Sequence, residues 1–158
     1  MLSCCVNLKG LSNIDDLGVD LYWMREAELK HCRLAMLAVV GALAQELGVV
    51  LPGMPSGKNQ IDVFWQFYDR NPGPIFASFI FLGLVEIISG IATTEGRKSG
   101  SRAPGEFGFN PLGFGKSPSE AKDLALKEVR NGRLAMWAAA GILLQGATTH
   151  AGALENLF

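Results

Sequence analysis

The sequence predicts an all-α membrane protein with three transmembrane helices, the first and third forming a crossed pair related by a pseudo-two-fold axis. Three observations lead there. The composition is apolar, 49% hydrophobic with 19 glycines and a mean hydropathy of +0.23, which suits glycine-bearing helices in lipid. Residues 75–94 and 134–154 are long stretches almost free of formal charge. The phrase Glu-x-x-His/Asn-x-Arg-Leu-Ala-Met is written twice, at 28–36 and at 128–136. The 158 residues form one domain, 1–158, and Lys+Arg 14 against Asp+Glu 15 leaves a net charge of -1, with no basic excess to attract nucleic acid.

The first helix, about residues 23–48, is the least regular. Residues 34–45 are apolar but short, because crossing a hydrocarbon core of about 30 Å takes about 20 helical residues. Residues 23–33 must therefore join them and bring Glu26, Glu28, Lys30, His31 and Arg33 along. The middle helix, about 73–94, is apolar but for Glu86 near its centre, and a lone carboxylate at that depth needs a partner or a ligand. The third, about 119–147, leads into a stretch uncharged except for a titratable His150, whose last residues are small and polar enough to be loop.

Proline- and glycine-rich breakers separate the three: LPGMPSGKN and DRNPGP, then RKSGSRAPGEFGFNPLGFGKSPSE. Between the first two spans, the aromatic IDVFWQFYD suits either a short interfacial helix or an ordinary amphipathic loop helix. Arg97, Lys98, Arg102, Lys116 and Lys122 crowd the second connection, so the positive-inside rule puts it, with the N-terminus, on the cytoplasm-equivalent side. Cys4, Cys5 and Cys32 lack CxxC or metal-finger spacing and read as free thiols. MLSCCVNLKG has neither a secretory h-region nor transit-peptide character, so the chain is mature or trimmed, or its targeting segment lies upstream.

The repeat addresses the buried charges. At a constant offset of 100, Glu28 falls on Glu128, His31 on Asn131, Arg33 on Arg133, Gly41 on Gly141 and Gln45 on Gln145. A weaker echo, IDDLGV at 14–19 and FNPLGF at 109–114, lies upstream of each copy. Two copies of one helix facing each other let Glu28 reach Arg133 while Arg33 reaches Glu128. Four unpaired charges would cost roughly 2.5 to 3.5 kcal/mol each at a bilayer centre, so reciprocal pairing is the favoured arrangement. Small residues at spacings of three and four, Ala35, Ala38, Gly41 and Ala42 against Ala135, Ala138, Ala139 and Gly141, permit a close approach.

His31, Asn131, Gln45, Gln145, Glu86 and the second oxygens of Glu28 and Glu128 remain as lone-pair donors that the pairing does not use. A zinc or di-iron centre needs several ligands converging on one ion, whereas here Glu28 and Glu128 are committed to arginines, there is one helical His, and Asn and Gln are poor transition-metal ligands. A magnesium already held by a macrocycle, accepting one axial oxygen or imidazole nitrogen, fits them better.

WMREAELKHCRLAMLAVVGALAQE, GLVEIISG and KEVRNGRLAMWAAAGILLQG together resemble the light-harvesting complex superfamily of plastid chlorophyll-binding proteins over nearly the whole chain. REAELKHCRLAML and FNPLGFG are closer to its red-lineage chlorophyll a/c branch than to the plant chlorophyll a/b proteins. The resemblance implies a light-harvesting antenna that passes excitation to a photosystem and performs no enzymatic chemistry. It implies Glu28, His31, Glu128, Asn131 and Gln145 as ligands of chlorophyll magnesium, with Glu86 as another and no other metal; Gln45 is a repeat-based guess for an additional chlorophyll. It makes Arg33 and Arg133 the ion-pair arginines and sets two carotenoids near the DDLG and NPLG loops. The implied cofactors are chlorophyll a, chlorophyll c or b, carotenoids (xanthophylls) and lipid. The implied partners are a photosystem core, I or II, and neighbouring antenna subunits. The implied place is the chloroplast thylakoid membrane, multi-pass, with a stromal N-terminus. His150, past the third helix, is expected to be an interfacial hydrogen-bonding residue.

Two rivals compete with the antenna reading. An energy-dissipating, photoprotective member of the same family would share the ligands, and the sequence offers no lumenal acidic cluster as a pH sensor, Asp62 and Asp69 being too few. A repeat-built membrane carrier or assembly protein would show spans broken by glycine and proline, and no proline interrupts either repeated helix. An enzyme is disfavoured because no nucleophile, base and orienting residue converge in the motifs.

Overall fold

The computed structural model describes residues 20–50, 52–100, 102–111, 113–115 and 117–155. Cys4, Cys5, the echo at 14–19 and Leu112 of the second echo lie outside the described residues. Four helices follow one another: α1 (Leu21–Glu46), α2 (Gln60–Arg70), α3 (Gly73–Ser99) and α4 (Pro118–Thr149). Among the described residues there is no strand.

Local chemistry sets the ends. Asp20 caps α1 by accepting from the Tyr22 amide at 2.9 Å, and Asn59 caps α2 by accepting from Ile61 at 2.9 Å. Ser117 and Glu120 close a capping box at the start of α4, where Pro118 occupies the first turn. Helix α3 runs past the expected residue 94 to Ser99, where Gly100 stops it in the left-handed conformation. Helix α4 stops at Thr149, and His150 turns the chain at φ 54°. The uncharged run 134–154 is therefore part helix and part turn, with about 24 Å of its length helical. IDVFWQFYD forms α2, whose Phe64, Trp65 and Tyr68 rings make edge-on contacts.

Helix α1 packs along α4, and α2 leans on α4 near its end. Side-chain contacts fix the directions. Asp20, before α1, meets Arg97 near the end of α3 at 2.6 Å, so α3 runs opposite to α1. Glu46, at the end of α1, accepts from the Ala153 and Leu154 amides just beyond α4 at 2.5 and 2.9 Å, so α1 and α4 run the same way. One end of the assembly thus holds Asp20, Arg97 and Ser117, and the other holds Glu46, Asn59 and His150.

The surface is apolar and the most deeply buried side chains are mixed. Glu26 is 1% exposed and Thr93 and Cys32 are fully buried, whereas Leu34, Leu37, Val40, Phe79, Ile88, Trp137 and Leu144 all face outward. Apolar side chains are normally withdrawn from water, so this outer face belongs against lipid or apolar ligands. By length and composition α3 is the one described helix that qualifies as a membrane span by itself, and almost none of it is covered by the rest of the chain. In α1 and α4 the charged first halves interrupt the apolar run.

Candidate functional site

The site is built on the contact between α1 and α4. Arg33 Nε donates to Glu128 Oε1 at 2.7 Å, and Arg133 donates through Nε and Nη2 to Glu28 Oε1, each at 2.7 Å. Between these pairs Cys32 lies against Gly132, its equivalent in the repeat. A Cβ placed on Gly132 would come within 2.3 Å of the Cys32 Cβ, so only glycine permits this approach.

The candidate ligands do not converge on one point, and among the described residues no group of His, Cys, Asp and Glu could hold a free metal ion. His31, Asn131 and Gln145 are exposed on α1 and α4, whereas Glu28, Gln45 and Glu128 are partly covered and Glu86 lies on α3. His31 is exposed, with Nδ1 2.7 Å from the Ala27 carbonyl. A carbonyl only accepts, so Nδ1 is the donor, and Nε2 makes no hydrogen bond among the described residues. Asn131 and Gln145 are exposed, and neither side chain makes a hydrogen bond among the described residues. Glu128 uses one oxygen for Arg33. A magnesium already held by a macrocycle needs one oxygen or nitrogen from the protein, which single donors of this kind could supply.

The two halves of the repeat are not equivalent. The second oxygen of Glu28, expected to be spare, accepts from Arg25 at 2.5 Å, and the residue matching Arg25 in the second copy is Ala125. Gln45 donates its amide N–H to the Gly57 carbonyl at 2.9 Å, whereas the Gln145 side chain makes no hydrogen bond among the described residues. The lone acid of the middle helix has a partner: Lys30 Nζ lies 2.5 Å from Glu86 Oε1 and also donates to Ser89 at 2.9 Å. A cavity of about 710 Å³ between α1 and α3 is lined by this pair and by Leu34, Phe79 and Leu82. His150 Nδ1 lies 3.0 Å from Asp62 at the start of α2.

Sequence reasoning missed the most deeply buried charge. Glu26 Oε1 accepts from Arg102 at 2.8 Å and from Thr93 at 3.3 Å, and Oε2 accepts from the Gly105 amide at 2.6 Å. The available signal was a break in the repeat, since the match to Glu26 is Leu126. Arg102 carries no sequence signal beyond its place in a basic connection. Outside the helices, the Glu155 carboxylate pairs with Lys58. Hydrogen bonding to Glu155 raises the Lys58 ammonium above its ordinary 10.5, and bonding to Lys58, then to the Gly152 amide, lowers Glu155 below 4.5.

Fold and site together define a helical scaffold whose cross-paired helices present single donors to an apolar surround. The chain belongs to the chlorophyll A-B binding protein family, whose family model matches residues 7–147. Among its relatives, a photosystem I chlorophyll a/b-binding protein 5 of Arabidopsis thaliana is 33% identical over 96% of this chain and 68% of its own length. A chlorophyll a-b binding protein 7 of Solanum lycopersicum is 32% identical over 96% of this chain and 64% of its own. A chlorophyll a-b binding protein 3 of Pisum sativum is 31% identical over 94% and 64%. The chain thus spans about two thirds of the length of these curated relatives, all of them described as chloroplastic.

Proposed function

We propose that the protein is a light-harvesting antenna subunit of the chloroplast thylakoid membrane that binds chlorophylls and carotenoids and passes excitation to a photosystem. In this reading α1, α3 and α4 cross the membrane, α1 and α4 as a pseudo-two-fold crossed pair, and the end holding Asp20, Arg97 and Ser117 is stromal. The state of His31 carries the reading most directly. Its Nδ1 donates to the Ala27 carbonyl at 2.7 Å and its ring is exposed on α1, the arrangement in which a metal-ligating histidine is oriented by a carbonyl behind it.

Bound pigment supplies the absorbing macrocycle, and the protein supplies position, ligation and environment. His31, Asn131 and Gln145 each offer one axial donor. Glu128 offers a carboxylate whose charge Arg33 neutralises and whose second oxygen makes no hydrogen bond among the described residues, Glu28 one whose two oxygens already accept from Arg133 and Arg25, and Glu86 one neutralised by Lys30. Gln45, a repeat-based candidate, would ligate through its amide oxygen, its nitrogen being engaged with Gly57. No bond is made or broken by the protein. Chlorophyll a accompanied by chlorophyll c or b, with xanthophylls and lipid, completes the proposed set, and the partners are a photosystem core and sister antennae.

The test is pigment extraction and chromatography of the purified native complex together with its fluorescence-excitation spectrum. Chlorophyll a with an accessory chlorophyll and a xanthophyll, and accessory bands appearing in the excitation spectrum of chlorophyll a emission, are expected. A colourless protein would overturn the reading.

A further inference from the structure

A continuous path of hydrogen bonds joins the buried Glu26 to Glu128 on another helix. Glu26 holds the Gly105 amide at 2.6 Å, the Gly105 carbonyl accepts from Arg33 Nη1 at 3.0 Å, and Arg33 Nε donates to Glu128 at 2.7 Å. From this geometry we propose that Glu26 is a positioning residue for the Glu128 ligand site, acting through Gly105 and Arg33; the inference rests on the reading of Glu128 as a magnesium ligand.

Three features support it. The guanidinium is planar, so fixing Nη1 on Gly105 and Nε on Glu128 fixes the plane of Arg33, and with it the oxygen of Glu128 that remains for a metal. Glu26 is 1% exposed and both its oxygens are used, which sets the Gly105 backbone rigidly; Arg102, which neutralises it, lies 4.0 Å from the centre of the Phe107 ring. A Cβ on Gly105 would also stand 2.5 Å from Leu29 Cδ1, so the loop is pressed against α1 at this point. Finally, Arg33, Arg102, Gly105, Phe107 and Glu128 line one cavity of about 740 Å³, so the path forms part of the wall facing the ligand.

Among the described residues the other half of the repeat shows no such device. Leu126 stands where Glu26 would be and is half exposed, and Glu28 is instead gripped by Arg25 and Arg133. Loss of the Glu26 carboxylate therefore affects one site of the pair and spares its twin. In Glu26→Gln the amide N–H₂ meets at least one of the donors from Arg102, Thr93 and Gly105, and the loop shifts.

The experiment is refolding of the full chain with pigments for wild type, Glu26→Gln, Glu128→Leu, Glu28→Leu and the Glu26→Gln/Glu128→Leu double variant, read by difference absorption and pigment stoichiometry. Glu26→Gln should weaken or shift the band that Glu128→Leu removes, with retention there reduced about 10- to 100-fold, the usual cost of losing an outer partner of a metal ligand. The band removed by Glu28→Leu should persist, and the double variant should lose no more than Glu128→Leu alone. An unchanged Glu128 band, or parallel loss of both bands, overturns the proposal. If Glu26→Gln does not refold, Glu26→Leu/Arg102→Leu, which leaves no buried charge, must show the same selective loss; a retained Glu128 band there overturns it. If Glu128→Leu removes no band at all, the ligand reading itself fails and takes the proposal with it.

Discussion

Cys32 and Gly132, equivalent residues of the internal repeat, face each other where α1 meets α4, so close that a single methyl group on Gly132 would stand 2.3 Å from the Cys32 Cβ. Cys32 has no exposed surface, and the reciprocal arginine–glutamate pairs lie on either side of it. The close approach brings four charged side chains within hydrogen-bonding reach of one another.

Gly132→Ala is accordingly expected to push the helices apart and destabilise the refolded complex by about 1 to 3 kcal/mol, the usual range for overpacking. Gly141→Ala, where nothing lies within 4 Å, should be neutral or stabilising by up to about 1 kcal/mol from helix propensity. Thermal denaturation followed by loss of pigment circular dichroism compares the two; equal melting temperatures would show that the contact is looser than described.

The two arginines should differ in importance. Arg133→Leu leaves Glu28 still bonded to Arg25, whereas Arg33→Leu strands Glu128 and also frees the Gly105 carbonyl. Arg33→Leu should be more damaging by about 1.5 to 3 kcal/mol, the worth of one hydrogen bond to a charged group. Arg33→Leu/Glu128→Leu, with no stranded charge, should recover part of that loss. Refolding yield with pigment is the measurement, and identical yields for both single variants would contradict the asymmetry.

His31→Phe should leave the helix pair intact and remove about one chlorophyll, because its ring nitrogen is the donor and its neighbours make the ion pairs. Stoichiometry after extraction decides this. An unaltered count would take His31 out of the ligand set.

Lys58 and Glu155 give a pH window. Glu155 is depressed, so its contribution is full above its ordinary 4.5 and is lost as pH falls through the lower folded value. Lys58 is raised, so its contribution is full below 10.5 and is lost as pH climbs through the higher folded value. Any melting-temperature difference between wild type and Lys58→Gln should therefore be full from about 4.5 to about 10.5 and decline progressively below and above that range. Glu46, the other charge acting on Lys58, is present in both proteins. A difference that changes through neutral pH would point to another group.

Much of this architecture was legible because it is periodic or repeated. Apolar length marked α3 and the second half of α4, and the offset of 100 paired Arg33 with Glu128 and Arg133 with Glu28, the contacts the side chains make. The same offset suggested that Gln45 resembles Gln145 and that Glu28 keeps a free oxygen. Neighbours outside the repeat, the Gly57 carbonyl and Arg25, remove that equivalence.

The sequence by itself determined the helices, their duplicated charges and the single-donor character of the exposed polar residues, since these follow from local spacing and residue chemistry. Only the tertiary structure decided which carboxylates are spare and which are engaged. Lys30 reaches Glu86, and Arg102 and Gly105 close around Glu26, across sequence separations of 56, 76 and 79 residues. A hydrogen bond depends on where the loop returns in space, and no periodicity along the chain encodes that return.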